Sequence, residues 1–278
     1  MSDVHPAREL RYSESAGDKF VNTRAFEWLS RAGFVARAAI YAIIGVLALK
    51  LAIGEGGKLT NQRGALETVA NQSFGSILLT LLAIGLGGYA LWRLFRAVLG
   101  HGPEGSDSGF QRLAALASGL VYGGLCVLAI EILIGSGSSS TTDPKSSSAG
   151  ILGWPGGPWI VGAIGVVMIA VALYQGYRGV TQKFLKDSKT EEMSPRVRKW
   201  IGRVGTVGHL ARMVVFGLVG VFFIKAAIEY DPSTAIGLDG ALAKLAQQSY
   251  GSVLLGIVAA GLIAFAVYSL SDARYRRI

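Results

Sequence analysis

The segment RAAIYAIIGVLALKLAI, from Arg37 to Ile53, occurs twice in this chain. Its second copy is RMVVFGLVGVFFIKAAI, from Arg212 to Ile228, and both copies keep an arginine, a glycine-valine pair and a lysine at the same spacing. Apolar composition alone does not produce agreement at polar and glycine positions. The chain therefore contains an internal repeat of an apolar segment of helical length.

The repeat extends into a second apolar segment and has a weaker middle copy. The stretch 72–75 (QSFG) matches 248–251 (QSYG), and Tyr41 aligns with Tyr122 in the middle copy. Because each unit holds two apolar segments, all three units enter a membrane in the same direction. The predicted organisation is a polar tail at 1–28, repeats at 29–100, 101–180 and 201–278, and a linker at 181–200.

The composition favours a membrane protein. Hydrophobic residues make up 51% of the 278 residues, charged residues only 16%, and mean hydropathy is +0.44. Six segments are long enough to cross about 30 Å of hydrocarbon, namely 32–53, 76–92, 113–134, 159–174, 204–228 and 251–270. We predict an all-α integral membrane protein with six transmembrane helices in three parallel two-helix repeats. A pseudo-threefold bundle is their natural packing.

The basic residues predict the orientation of the chain. Of the 27 Lys and Arg residues, 19 lie in the two tails and in the loops after the second and fourth spans, whereas the opposite loops hold four. By the positive-inside rule, both termini face the cytoplasm. Anionic lipid headgroups then account for the net charge of +9 and for the pI of about 9.7, without nucleic acid as a partner.

Catalytic and metal-binding residues are not apparent in the sequence. Cys126 is the single cysteine, and His5, His101 and His209 lie in three separate regions. A metal or haem needs ligands that converge, and no nucleophile lies beside a base. We expect no cofactor, no metal site and no enzymatic activity.

Several short motifs resemble a known family. They are Arg31-Ala32-Gly33, the stretch 62–66 (QRGAL), the stretch 72–75 (QSFG) and the stretch 88–93 (GYALWR). Together they resemble the bacterial membrane-protein family called domain of unknown function 1206, over residues 29–270. The resemblance implies a multi-span protein with two-span units, often three in tandem. It implies no catalytic residue, because no activity is established for the family.

Lys50, Glu131 and Lys225 occupy one position in the three repeats, about one turn before the outer end of a span. Ionisable groups inside spans usually face the bundle interior and mark pathways. We therefore treat the three as a candidate intramembrane charge cluster in which Glu131 pairs with a lysine. The alternative is that each side chain extends to the nearby headgroups.

Arg37 and Arg212 occupy a second shared position, about two turns inside the basic end of their spans, where the middle repeat has Ser118. They are candidate contacts for lipid phosphate, or they could cap a partner helix. The alternative is again that both side chains extend to the membrane surface.

Glycines account for 38 residues, and several lie where helices could approach closely. The candidate packing positions are Gly85, Gly88, Gly119, Gly123 and Gly261. They favour packing within one chain, with dimerisation as the alternative.

Three segments outside the spans are also interpretable. Residues 64–73 and 240–249 predict short amphipathic helices on the outer surface, although a lid or docking surface stays open. The middle repeat has a Ser-rich stretch at 135–150 instead, which predicts a flexible loop. The linker at 181–200 could dock a partner or be a solvated loop over anionic lipid.

Two functions are consistent with these features. The first is a non-enzymatic scaffold or accessory subunit that works with another membrane protein. The alternative is a small solute or ion transporter or channel, with a pathway along the pseudo-threefold axis lined by Lys50, Glu131 and Lys225.

Overall fold

A computed structural model describes residues 24–99, 109–135 and 144–277 of the chain. Their α-helices, in chain order, are α1 (Arg24–Ala52), α2 (Gln62–Ala70), α3 (Gly75–Leu99), α4 (Gly109–Leu133), α5 (Pro144–Leu152), α6 (Gly157–Thr181), α7 (Pro195–Glu229), α8 (Leu238–Ala246) and α9 (Gly251–Tyr275). Six of them, α1, α3, α4, α6, α7 and α9, are long and apolar enough to cross a membrane. The six predicted spans are therefore confirmed as long apolar helices.

The short helices α2, α5 and α8 lie at the end of the bundle opposite to the start of α1 and the end of α9. Helices α2 and α8 confirm the two predicted amphipathic helices, and their inward faces reach full burial at Leu66 and Leu242. Both leucines belong to the main apolar core. The two helices therefore cover that end of the bundle rather than lying apart on its surface.

The predicted flexible loop of the middle repeat is wrong for residues 144–150, which lie in α5. Ile151 and Leu152, at the end of α5, pack against an apolar cluster that includes Val161 and Ala226. Burial of these two side chains holds the helix, a contribution that the Ser-rich composition does not indicate. Residues 136–143 of the predicted loop lie outside the described residues.

The spans pack mainly across repeats. The three most extensive helix contacts are α1 with α9, α3 with α4, and α6 with α7, and each joins the first span of one repeat to the second span of another. We call these three contacts the seams. Within repeats, α1 packs on α3 and α7 on α9. Among the described residues, α4 and α6, the two spans of the middle repeat, do not form an extensive contact with each other.

The three seams share a close contact at equivalent repeat positions. In each, a small residue of the first span faces a backbone carbonyl of the neighbouring helix. A Cβ added to Gly45 or Gly220 would lie 3.0 or 2.8 Å from that oxygen, and the Sγ of Cys126 lies 3.2 Å from it. The facing residues are Ala259 for Gly45, Gly165 for Gly220 and Ala83 for Cys126.

Residue sizes at this contact are complementary. Beside the two glycines the partner helix carries Ile263 or Ile169, whereas beside the larger Cys126 it carries Gly87. Close packing fills the same space in each case, because a large residue on one helix meets a small one on the other. The α3–α4 seam therefore pairs a larger and a smaller residue as the other seams do, with the two helices exchanged.

A second contact also recurs in the seams, near the end of the bundle where α1 begins and α9 ends, which we call the basic end. There, a side chain from the first span donates to a carbonyl in the last turns of the neighbouring helix. Such carbonyls lack partners within their own helix. The hydrogen bonds are Arg31 Nη1 to Ala273 O at 2.6 Å, Arg112 Nε to Ala97 O at 2.9 Å and Thr206 Oγ1 to Gly179 O at 2.8 Å.

Packing within the first and third repeats depends on glycines that the middle repeat lacks. A Cβ on Gly33 would lie 2.8 Å from Gly85 O, and a Cβ on Gly208 would lie 2.6 Å from the Cα of Phe265. The middle repeat has Ala114 at the position of Gly33 and Gly208, and both Ala114 and its partner position Val167 are exposed. Side chains at these places prevent the backbone approach that the other two repeats use.

Candidate functional site

The strongest polar feature of the bundle begins at Arg37 in the α1–α9 seam. Arg37 is only 6% exposed. Its Nη2 donates to Asp272 Oδ2 at 2.8 Å, its Nε to Ser269 Oγ at 3.0 Å and its Nη1 to Tyr89 OH at 3.0 Å. Every nitrogen of the guanidinium thus has a protein partner, as a buried charge requires.

From Asp272 the ion pairs continue toward the linker. Arg276 approaches Asp272 Oδ1 through Nη1 at 3.5 Å and donates to Asp187 Oδ2 through Nη2 at 2.9 Å. Arg178 donates to the same Asp187 oxygen at 2.7 Å. We call Arg37, Asp272, Arg276, Asp187 and Arg178 the ionic chain. It connects α1 of the first repeat, α6 of the middle repeat and α9 of the third.

The charges on the two members outside the spans are reinforced by their neighbours. Burial works to raise the pKa of Asp187, but Arg276 and Arg178 outweigh it and hold that pKa below its usual range. Burial works to lower the pKa of Arg276, but Asp187 and Asp272 raise it. Both groups are therefore charged at neutral pH, and the pair acts as a fixed electrostatic contact.

The linker is folded onto the bundle at its first half. Phe184 is fully buried and stacks on the ring of His209 with centroids 4.8 Å apart. Lys189 N donates to Tyr275 O at 2.7 Å, and Ser188 forms an isolated β-bridge with Arg276. The interpretation as a solvated loop is wrong for this half, because apolar burial and backbone pairing hold Asp187 in the ionic chain.

Aromatic rings surround the Arg37 end of the ionic chain. Tyr89 OH also accepts from Arg93, through Nε at 3.1 Å and Nη2 at 2.9 Å. The Arg37 guanidinium lies 5.0 Å from the Phe34 ring centroid, and Arg93 lies 4.9 Å from that of Trp92. Cation–π contacts of this kind add attraction where water is excluded.

Arg212, the counterpart of Arg37, lies in the α6–α7 seam. With the Gln175 amide oriented so that its oxygen faces Arg212, that oxygen accepts from Nη1 at 2.9 Å and from Nη2 at 3.0 Å. The guanidinium also lies 4.4 Å from the Phe265 centroid. The lipid-phosphate contacts stay predictions for Arg37 and Arg212, and the buried position of Arg37 does not favour one there.

The candidate charge cluster lies at the other end of the bundle. Lys50 and Lys225 are exposed, and Lys225 Nζ lies 3.7 Å from Glu229 Oε1 on its own helix. Glu131 is half-buried on α4. The ring of the three charges stays a prediction.

The candidate packing glycines lie at helix contacts. A Cβ on Gly85 would lie 2.8 Å from Ala32 O, and one on Gly119 would lie 2.9 Å from the Leu94 side chain. Equivalent additions at the other positions would meet neighbouring helices too. They are Gly88 against Leu29, Gly123 against Ala90 and Gly261 against Ala211.

The sequence interpretation missed the acidic members of the ionic chain. Asp272 was the detectable one, because the repeat register aligns it with Arg96 and Arg178. A carboxylate at a position where two repeats hold arginine is a charge inversion. Such an inversion indicates a partner of opposite charge nearby.

In the described residues, no group of three His, Cys, Asp or Glu side chains could hold a metal ion.

Comparison with known proteins found one family model, described as Domain of Unknown Function (DUF1206), which matches residues 32–100, 113–182 and 207–276. The uncharacterized protein YxxB of Bacillus subtilis (strain 168) is 34% identical over 252 residues. That similarity covers 89% of this chain and 90% of the relative. No solved structure matches.

Proposed function

From the premise that the chain belongs to the DUF1206 family, with three tandem copies of its domain, we propose a non-enzymatic role in the membrane. The protein serves as a scaffold or accessory subunit of a membrane assembly. It works in the bacterial plasma membrane with both termini in the cytoplasm. The arginine-rich basic end and the 19-to-4 distribution of Lys and Arg support that orientation.

The ionic chain is the observation that carries this proposal. It links helices from all three repeats through charges that are mostly removed from solvent. Separating one partner of a buried ion pair leaves an uncompensated charge and costs about 3–5 kcal/mol. Secondary transporters work by moving their repeats against each other. An ionic connection across all three repeats opposes such movement and suits a rigid support.

A pseudo-threefold arrangement is part of the proposal. Two contacts support it, because each recurs at equivalent positions in all three seams: the small residue facing a carbonyl, and the side chain donating to the last turns of the neighbouring helix. The arrangement is open at the middle repeat, between α4 and α6. That open side gives the bundle a unique face for a partner.

The transport alternative has less support. Lys50 and Lys225 are exposed rather than directed at a shared interior. The main core is a continuous apolar cluster with buried residues from α1, α3, α4, α7 and α9, represented by Ile44, Leu79, Leu128, Val215 and Leu262. Apolar side chains that fill the centre of a bundle leave no polar lining for an ion or solute.

The two functions are separable by photo-crosslinking in living cells combined with flux measurements. A photo-reactive residue replaces Val121, which is 61% exposed on α4 and aligns with the buried Ile40 and Val215, and in a matched control it replaces Leu81, which is 61% exposed on α3. We expect one discrete crosslinked partner from position 121 and none from position 81. No partner at 121, together with proteoliposome flux that Glu131→Gln abolishes, would instead establish the transporter.

A further inference from the structure

A groove of about 650 Å³ runs between α1 and α9 at the basic end of the bundle. Its deeper part is walled by Val35 and Leu270, which are 48% and 50% exposed and lie on the apolar lengths of the two spans. Its mouth is lined by Arg24, Arg274 and Trp28, and Trp28 is 72% exposed. One groove thus presents an apolar wall and a cationic mouth, as an amphiphilic ligand requires.

The mouth of the groove carries more positive than negative charge. Arg31, between the two helices, is balanced by Glu27, with Nη2 2.6 Å from Oε1. In the parts of the chain that the structure describes, Arg24 and Arg274 form no ion pair, and both side chains are exposed. The mouth therefore carries two guanidinium groups that are available to an anion. Guanidinium groups bind phosphate through paired N–H donors.

Arg31 fixes the back of the groove. Its Nη1 donates to Ala273 O at 2.6 Å and to Arg274 O at 2.7 Å, which holds the last turn of α9 against α1. The backbone that carries Arg274 is therefore already positioned before any ligand binds. Such preorganisation lowers the entropic cost of binding.

The α9 side of this mouth has no counterpart in the other two seams, although Lys199 of α7 occupies the position of Arg24. The repeat register aligns Arg274 with Val98 in the α3–α4 seam and with Val180 in the α6–α7 seam. Both valines are exposed, at 69% and 71%. A cation at the end of the second span is thus not needed for a seam to form. Its presence at the α1–α9 groove calls for a separate explanation.

We propose that this groove holds one anionic phospholipid. The phosphate lies between Arg24 and Arg274, an acyl chain follows Val35 and Leu270 toward the bilayer core, and Trp28 lies at headgroup level, where tryptophan is enriched. Anionic lipid is favoured over a zwitterionic one because the two guanidinium groups at the mouth attract net negative charge. The inference stands apart from the scaffold proposal, since it concerns the outer face of one seam.

Native mass spectrometry of the full chain in detergent, titrated with phosphatidylglycerol or phosphatidylcholine, tests the site. We expect a single saturable phosphatidylglycerol adduct. The double variant Arg24→Gln with Arg274→Val should weaken it at least about tenfold, at the scale of surface basic residues acting on anionic lipid. The control Arg196→Gln with Arg203→Gln removes two exposed arginines at the same end and should leave the adduct unchanged.

Three results would overturn the proposal: phosphatidylcholine binding as tightly as phosphatidylglycerol, unchanged binding by the double variant, or displacement of the lipid by millimolar inorganic phosphate. The last result would assign the mouth to free phosphate. Size-exclusion profiles verify folding. Should the double variant fail that check, Leu270→Trp obstructs the apolar wall alone. It should weaken the lipid adduct equally, and full binding by Leu270→Trp would also refute the site.

Discussion

The helix pairs of the first and third repeats differ from the pair of the middle repeat in one physical respect. In α1–α3 and α7–α9, glycines let two backbones approach to van der Waals distance at Gly85 and Gly208. In the middle repeat, Val167 lies at the position of Gly85 and is 59% exposed. The helix pairs α1–α3 and α7–α9 therefore pack closely. Among the described residues, α4 and α6 do not pack along their lengths.

The seams show the opposite behaviour, because they tolerate sequence change. Replacement of glycine by Cys126 is matched by Gly87 on the partner helix. A larger residue on one side of a helix contact is therefore accommodated where the other side is smaller. The middle pair has no such compensation, since both of its positions are larger than glycine. The repeats thus keep the contacts between copies and lose one contact within a copy.

The largest expected loss of stability comes from removing a charge of the ionic chain, which joins the three repeats. Asp272→Asn leaves Arg37 and Arg276 without their shared carboxylate, and we expect a loss of about 3–5 kcal/mol. Thermal unfolding in detergent measures it. As a control, Glu67→Gln removes the exposed partner of Arg63 and should cost about 0–1 kcal/mol. Equal melting temperatures for the two variants would show that the ionic chain does not stabilise the bundle.

A smaller effect is expected from making the third repeat resemble the middle one. Gly261→Val introduces the residue of position 167 where a Cβ already meets Ala211. Overpacking of this kind costs about 1–3 kcal/mol. Val167→Ala, at the exposed equivalent position, should change stability by about 0.5 kcal/mol or less. Thermal unfolding of both variants provides the comparison, and equal losses would refute the glycine explanation.

The size exchange in the seams predicts a rescue. Gly87→Ile overfills the α3–α4 seam and Cys126→Gly underfills it, whereas the double variant reproduces the glycine and isoleucine pairing of the other seams. We expect each single variant to be destabilised and the pair to be coupled favourably by roughly 1–2 kcal/mol. A double-mutant cycle on unfolding free energies measures the coupling. Strictly additive losses would mean that the seams are not equivalent.

The smallest expected effect concerns the ion pairs of Asp187 in the linker and the loss of their stabilisation at acidic pH. Because Asp187 has a depressed pKa in the folded chain, its stabilisation is complete above the ordinary carboxyl pKa of about 4 and is lost as pH falls through the folded value. Asp187→Asn should be less stable than wild type at pH 7. The two melting temperatures should converge as the pH is lowered below about 4. A difference that is constant with pH would exclude Asp187 as a charged partner.

Much of this architecture follows from the sequence because it depends on short-range patterns. Apolar length sets the six spans, and repeat alignment sets the three copies. Gly85 and Gly261 could be named because small residues inside spans have few other uses. These features need no knowledge of which helices are neighbours.

Prediction of the ionic chain, in contrast, requires knowledge of which helices are neighbours. Arg37 and Asp272 lie at opposite ends of the sequence, and only the α1–α9 seam brings them together. Arg37 resembled a residue extending to the membrane surface because its helix, taken alone, offers no acidic partner. Phe184 was similarly hidden, since one aromatic residue in a basic linker gives no periodic signal.

The central claim, that the bundle is closed within the outer repeats and open within the middle one, is tested most directly by disulfide formation in isolated membranes. In a Cys126→Ala background, Ala36→Cys is combined with Gly85→Cys, where the Cβ atoms would be about 3.0 Å apart, slightly less than the separation of about 3.5–4.5 Å in a disulfide. Ala117→Cys with Val167→Cys places cysteines at the equivalent positions of α4 and α6. The account predicts rapid intramolecular oxidation of the first pair and none of the second. Equal oxidation of both pairs would contradict it.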